Sequence, residues 1–166
     1  EKSDLVSNFY GAWETPNLGL LTIAGKIPDR YDVTFIDEDH GTEIPFSKSF
    51  DIVALTGMTQ QIYRAYEIAQ QFKKMGSYVV LGGIHASIMP NEALKNVDTV
   101  FIGEGENTWP MFLRDFEKGT PKRIYQSNNF VNLAESPVPR YELLDSKIYK
   151  SFSIQTTRGC PRTCNY

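Results

Sequence analysis

The stretch Asp51–Gly83, DIVALTGMTQQIYRAYEIAQQFKKMGSYVVLGG, decides the fold. It opens on Asp51–Thr56 (DIVALT), an aliphatic and β-branched run that ends in the small and polar residues Thr56-Gly57-Met58-Thr59-Gln60. Gln60–Met75 then changes to a helical period, setting Ile62, Tyr66, Ala69 and Phe72 near one stripe and stopping at Gly76. Tyr78–Leu81 (YVVL) returns to an unbroken apolar run and meets Gly82-Gly83. Two strands apolar throughout, joined by an amphipathic helix, point to a parallel sheet, because its crossover helices bury both faces.

The same alternation continues outward. Asp32–Asp37 (DVTFID) and Thr99–Ile102 (TVFI) are predicted strands; Leu18–Ile27, the short Asn91–Lys95 and Thr108–Glu117 are predicted helices. The last carries Trp109, Phe112, Leu113 and Phe116 and stops at Gly119. Gly41–Phe50 reads as loop, so one crossover lacks a regular helix. The expected fold is α/β: a Rossmann-like (flavodoxin-like), doubly wound, mainly parallel sheet. An earlier strand should pair centrally. Either Asp4–Asn8 (DLVSN) is a weak first strand, or the sequence begins inside or beyond that strand.

After Gly119 the pattern changes. Lys122–Tyr125 reads as a short edge strand and Ser136–Tyr141 (SPVPRY) as a linker whose prolines disfavour helix. Ser151–Thr156 (SFSIQT) starts a new strand leading into Arg158–Tyr166 (RGCPRTCNY). The expected organisation is a Rossmann-like domain over 1–120, a linker with a short edge strand over 121–150, and the start of a second domain over 151–166. Residues beyond about Lys122 are expected to pack loosely on the sheet or to extend away from it.

Composition narrows the function classes. The 166 residues are 41% hydrophobic and 13% aromatic, enough for one core without staples. A net charge of −3 gives no basic footprint for nucleic acid or anionic lipid. No apolar run approaches the ~20 residues that span a bilayer, and no signal peptide opens the sequence. The two cysteines, Cys160 and Cys164, stand close together near the end, unlike a secreted disulfide framework. A reducing, cytoplasmic location is expected.

In open α/β sheets ligands bind beyond the carboxyl ends of the strands. Three predicted strand ends carry small residues there: Thr56-Gly57-Met58-Thr59-Gln60, Gly82-Gly83-Ile84-His85 and Gly103-Glu104-Gly105-Glu106. Glycine lets a ligand approach the backbone closely. A single such loop is explained by a tight turn; three in succession favour a ligand site.

Here the sequence resembles cobalamin-binding domains, which pair Ser-x-Leu after one strand with Gly-Gly after the next. Thr56-Gly57-Met58 stands in for the first, Thr56 keeping a hydroxyl and Met58 the apolar bulk, and Gly82-Gly83 follows at the family's spacing. The resemblance implies that the first loop lines a channel for the cofactor's nucleotide tail and that the diglycine lets the tail pass. Many such domains also carry Asp-x-His-x-x-Gly, whose histidine ligates cobalt. The corresponding Phe9–Asn17 (FYGAWETPN) has no histidine, and Glu38-Asp39-His40 follows a different strand, with Glu43 where glycine belongs. His40 therefore reads as a polar loop residue. His85 reads either as a hydrogen-bond partner for a ligand or as a surface residue. Glu104 and Glu106 read either as caps of the following helix or as contacts to corrin amides.

The ending Arg158-Gly159-Cys160-Pro161-Arg162-Thr163-Cys164-Asn165-Tyr166 resembles the Cys-x-x-x-Cys-x-x-Cys loop of radical-SAM enzymes, with the first two cysteines and the following aromatic in place. Two thiolates alone are a weak signal, equally suited to zinc or to nothing. Together with the upstream pattern, the sequence is identified as a member of the cobalamin-dependent radical-SAM proteins. The resemblance implies cobalamin in this domain, and a 4Fe-4S cluster held by Cys160 and Cys164 with a third thiolate, plus S-adenosylmethionine, in a full-length protein. The partner implied is that protein's own radical-SAM barrel, and the reaction most common in the family is methyl transfer to an unactivated carbon of a small-molecule or lipid-like substrate. The alternative is a domain of the same fold that binds no cobalamin and docks the barrel or its substrate. A free-standing flavodoxin-like or response-regulator domain is disfavoured by the cysteine ending.

Overall fold

Asn17 accepts a hydrogen bond from Leu20 N at 3.0 Å and so starts α1 (Leu18–Ala24), the first helix among the described residues. The computed structural model describes residues 15–145, 147–160 and 162. The helix ends where Gly25 meets the later linker: a Cβ on Gly25 would stand 2.7 Å from Val138 O.

Four strands follow among the described residues: β1 (Ile52–Thr56), β2 (Tyr78–Gly82), β3 (Thr99–Ile102) and β4 (Ile124–Gln126). They form one sheet in the order β1-β2-β3-β4, every pair parallel. The crossovers carry α2 (Ile62–Lys74), then α3 (Ile84–Ile88) with α4 (Pro90–Ala93), and finally α5 (Trp109–Glu117). Side chains alternate across the sheet. Val79, Leu81 and Val100 face Ile62, Tyr66, Ala69 and Phe72 of α2, the stripe expected from sequence. Val80, Phe101 and Tyr125 face Trp109, Phe112 and Leu113 of α5, with Ile23 of α1 against the same cluster. Helices thus cover both faces, giving the mainly parallel, doubly wound α/β fold. Lys73 and Lys74 suit the carboxyl end of α2, and Gly76 leaves the helix at φ +89°.

Three expectations are corrected. Asp32–Asp37 is not assigned as a strand: it has no ladder partner among the described residues, and neither core cluster includes Val33, Phe35 or Ile36. A strand exists only by pairing, and among the described residues β1 pairs with β2 alone. The candidate for a strand between the two, Asp4–Asn8, lies outside the described residues. Ser151–Thr156 likewise forms no strand. The residues beyond Lys122, expected to pack loosely on the sheet or to extend away from it, pack closely: besides the expected edge strand, now β4, Tyr125 and Tyr149 are buried, and Arg140 N donates to Leu21 O at 3.1 Å.

Candidate functional site

The register of the sheet sets three loops along one rim. Thr56 lies opposite Gly82 and Leu81 opposite Val100, so the chain leaves β1, β2 and β3 on the same side. Thr56–Gln60, Gly82–His85 and Gly103–Glu106 are thereby brought together, and specific hydrogen bonds lock them.

The first two loops meet at Thr56. Its Oγ1 donates to Gly82 O at 3.4 Å. Gly83 has φ +98° and ψ −171°, a conformation reserved to glycine. A Cβ there would fall 2.5 Å from Thr56 Oγ1. The turn therefore needs glycine at 83 for its own packing, whatever binds beside it. Gly82 and Gly57 are less constrained, since a Cβ would make ordinary 3.6 Å contacts with Phe101 Cβ and Gln61 Cβ respectively. Gln61, which the sequence reading passed over, closes the first loop: Met58 N donates to Gln61 Oε1 at 2.9 Å, and Gln61 Nε2 donates to Asp39 Oδ2 at 2.6 Å. No sequence motif announced it, since Met58 stands where a capping box carries Ser or Thr. Gln60 is exposed, and its Nε2 donates to Met58 Sδ at 3.6 Å.

The second and third loops are joined by Ser87, another residue without a sequence motif. Its Oγ donates to Gly83 O at 2.8 Å and accepts from Gly103 N at 2.9 Å. Apolar side chains stand out of this rim: Met58, Ile84, Ile88 and Met89 are all exposed, Ile84 and Ile88 by about two thirds (67% and 68%).

Of the two readings of His85, a ligand's hydrogen-bond partner or a surface residue, the second is overturned: the side chain is buried, 5% exposed. Its Nδ1 lies 3.3 Å from Thr59 Oγ1, and its Nε2 lies 3.5 Å from both Glu92 Oε1 and Tyr66 OH. Tyr66 OH in turn donates to Glu92 Oε1 at 3.2 Å. Burial, followed by the charge of Glu92, pushes the Tyr66 phenol up to about 12. His85 thus braces Thr59 from beneath.

Glu104 and Glu106 do not cap α5, whose N-cap Thr108 makes no side-chain cap bond. Both carboxylates turn to Arg158: Nη1 donates to Glu104 Oε1 at 3.0 Å and Nη2 pairs with Glu106 Oε1 at 2.7 Å. Glu104 Oε2 also accepts from Val131 N at 2.7 Å. Glu106 is 6% exposed, so Arg158 rather than water pairs with its carboxylate. The hydrogen bond to Glu106 is the largest influence holding the Arg158 guanidinium above its ordinary pKa.

His40 is a half-buried polar residue at the end of a short turn. Its Nδ1 lies 3.0 Å from Asp37 Oδ2, Tyr149 OH donates to the same oxygen at 3.0 Å, and the His40 and Tyr149 rings stand 4.6 Å apart. Cys160 is an exposed free thiol, and Cys164 lies outside the described residues, as does most of the Phe9–Asn17 segment. A cleft lined by Ser49, Phe50, Met75, Gly76, Tyr78 and Phe116 opens at the amino ends of β1 and β2, the opposite edge from these loops. Among the described residues no helix is long and apolar enough to cross a membrane.

Comparison with known proteins gives this rim its context. The family model described as "B12 binding domain" matches residues 5–113. The chain belongs to the B12-binding domain family. Its matched region takes in all three loops, and ends just before the linker that returns Arg158 to them. The domain is 35% identical over 161 residues to the bacteriochlorophyllide d C-8(2)-methyltransferase of Chlorobaculum tepidum, covering 90% of this chain and 34% of that protein. It is 33% identical over 162 residues to the bacteriochlorophyllide d C-12(1)-methyltransferase of the same organism, covering 94% and 35%. It is 31% identical over 157 residues to the hopanoid C-2 methylase of Rhodopseudomonas palustris, covering 91% and 29%. The chain spans about a third of the length of the curated relatives it matches.

Proposed function

We propose that this B12-binding domain holds cobalamin on the rim formed by Thr56–Gln60, Gly82–His85 and Gly103–Glu106, and that it serves a cytoplasmic radical-SAM methyltransferase. The observation that carries the reading is the bare backbone at the carboxyl ends of adjacent parallel strands, flanked by the exposed side chains of Met58, Ile84, Ile88 and Met89. A flat, apolar-faced ligand fringed with amides suits such a surface: peptide groups meet its polar edge and the aliphatic side chains its faces. Gly57 and Gly82 leave room for close approach, while Thr56, Ser87 and His85 hold the loops in place before anything binds.

When bound, cobalamin supplies a transferable methyl group; the domain's own residues bind it, orient it and keep water from the rim. His40 is engaged by Asp37 and Tyr149 and takes no part in ligating cobalt. The methyltransferase assignment is supported by the three relatives, each named for methylation. Radical-SAM chemistry is supported by Cys160 and Cys164 within Thr156–Tyr166, as the first two thiolates of a 4Fe-4S cluster that binds S-adenosylmethionine. Residues 1–120 are the cobalamin module, 121–150 a linker with an edge strand, and 151–166 the beginning of the barrel.

The test is titration with hydroxocobalamin, followed by the ultraviolet–visible spectrum. Saturable binding is expected for the native chain, with an unchanged spectrum in His40→Ala. Gly57→Val adds bulk to the rim without requiring a left-handed backbone. Overpacking of ~1–3 kcal/mol weakens binding by roughly ten- to a hundredfold. No binding by the folded native chain would refute the reading in favour of a cobalamin-free docking module.

A further inference from the structure

Arg158 lies two residues before Cys160 and is held by three side chains from two parts of the chain. Its Nη1 reaches Glu104, its Nη2 reaches Glu106, and its Nε and Nη2 donate to Gln155 Oε1 at 3.2 and 2.8 Å. This uses the guanidinium as a planar fork, a geometry that lysine's point charge cannot reproduce. Both carboxylates sit in the loop that follows β3, and Gly103 of that loop is tied through Ser87 to Gly83. The segment carrying Cys160 has no ladder of its own among the described residues, so regular structure does not fix its place. A buried carboxylate and a two-sided ion pair do.

We propose that Arg158 is a positioning residue: clasped by Glu104 and Glu106, it sets the Cys160 loop against the rim that ends at Gly83. The proposal rests on the reading of Cys160 as a cluster ligand only for its purpose; the clasp itself is tested without cluster or cobalamin. It assigns Glu104 and Glu106 to joining the two sites rather than to contacting the corrin. The two cofactor-bearing loops are then registered to each other by charge, at a fixed separation.

Trypsin reads the clasp directly, because it must take the Arg158 side chain into its own acidic pocket before cutting Arg158–Gly159. The neighbouring Arg162–Thr163 bond is the internal reference. In the 166-residue chain, Glu104→Gln with Glu106→Gln should speed cutting at Arg158, relative to Arg162, by about tenfold or more, equivalent to about 1.4 kcal/mol of clasp closure. A nitroxide on Cys160, in a Cys164→Ser background, should change from a broad to a sharp line in the same variant. Glu104→Gln alone keeps the buried Glu106 charge and should give an intermediate effect. Arg158→Lys, in the nitroxide arm, should recover part of the immobilisation that Arg158→Ala loses. All variants are compared at matched circular dichroism and melting temperature; if the double glutamine variant unfolds, Glu104→Gln and the two Arg158 variants decide. Equal cutting ratios and equal line shapes in folded variants would overturn the clasp, whereas failure to bind hydroxocobalamin would overturn only the cobalamin reading.

Discussion

Replacing Gly83 by alanine separates what the turn needs for itself from what a ligand needs of it. Residue 83 stands at φ +98°, ψ −171°, where an L side chain costs ~1–3 kcal/mol. The new Cβ would lie 2.5 Å from Thr56 Oγ1, and relief of such overpacking costs a further ~1–3 kcal/mol. Gly83→Ala should therefore destabilise the chain by roughly 2–6 kcal/mol, a large share of the ~5–15 kcal/mol typical of a domain. With a urea slope of about 2 kcal/mol per M, the midpoint falls by about 1–3 M. The steric part is separable. Thr56→Ala removes Oγ1, and the next Thr56 atom, its Cβ, lies at an ordinary 3.8 Å. Alone, Thr56→Ala gives up only a long 3.4 Å hydrogen bond, worth at most ~1 kcal/mol. In the Thr56→Ala/Gly83→Ala double variant, ~1–3 kcal/mol of the loss should return, leaving the backbone strain. Urea melts of the four proteins complete the cycle. A Gly83→Ala chain as stable as the native one, or a double variant with strictly additive losses, would refute this account of the diglycine. Valine at 83 is a poor probe of ligand access for the same reason: it meets Thr56 before it meets a cofactor.

Other outcomes follow from the core, the phenols and the thiols. Phe112 is fully buried among Phe101, Trp109 and Tyr125, so Phe112→Ala should cost ~3–5 kcal/mol in a urea melt; a loss below ~1 kcal/mol would mean that α5 does not seat on the sheet as described. Tyr66 and Tyr125 are each pushed up to about 12, first by burial. Because the folded values lie above the unfolded value of ~10, the stability they add is complete below pH 10 and is lost as pH rises towards 12. Urea midpoints measured from pH 8 to 11 should be level and then fall, and a midpoint that rises above pH 10 would contradict the burial of these phenols. With two cysteines in 166 residues, anaerobic reconstitution with iron and sulfide should give no stable four-iron signal, and electron paramagnetic resonance of the reduced sample checks it.

The sheet was legible because three of its strands declare themselves locally. Asp51–Thr56, Tyr78–Leu81 and Thr99–Ile102 are apolar on both alternating faces, and each matches a strand to within a residue at either end. The edge strand expected at Lys122–Tyr125 lies at Ile124–Gln126, since its register is set by Val100, Phe101 and Ile102 rather than by its own polar sequence. Asp32–Asp37 is rich in β-branched and aromatic residues yet pairs with no strand among the described residues, which shows the limit of propensity: pairing is supplied by a neighbour, and no local pattern reports it.

The rim divides along the same line. The glycines were readable, because a positive φ or a close approach leaves a mark on residue type at the position itself. His85 was not, since its burial is produced by Tyr66 and Glu92 on other helices. Glu104 and Glu106 were harder still. Just ahead of a predicted helix, a carboxylate obeys the capping rule, and that rule is purely local. The physical clue was the absence of any basic residue between Gly103 and Met111: a carboxylate that folding buries there must find its cation elsewhere in the chain. It does so in Arg158, 54 residues beyond Glu104 and directly beside the cysteine motif. This strongly charged contact at the rim is thus made by a residue whose neighbours, Gly159 and Cys160, had already marked it for chemistry, and the two functional signals in the sequence meet at that ion pair.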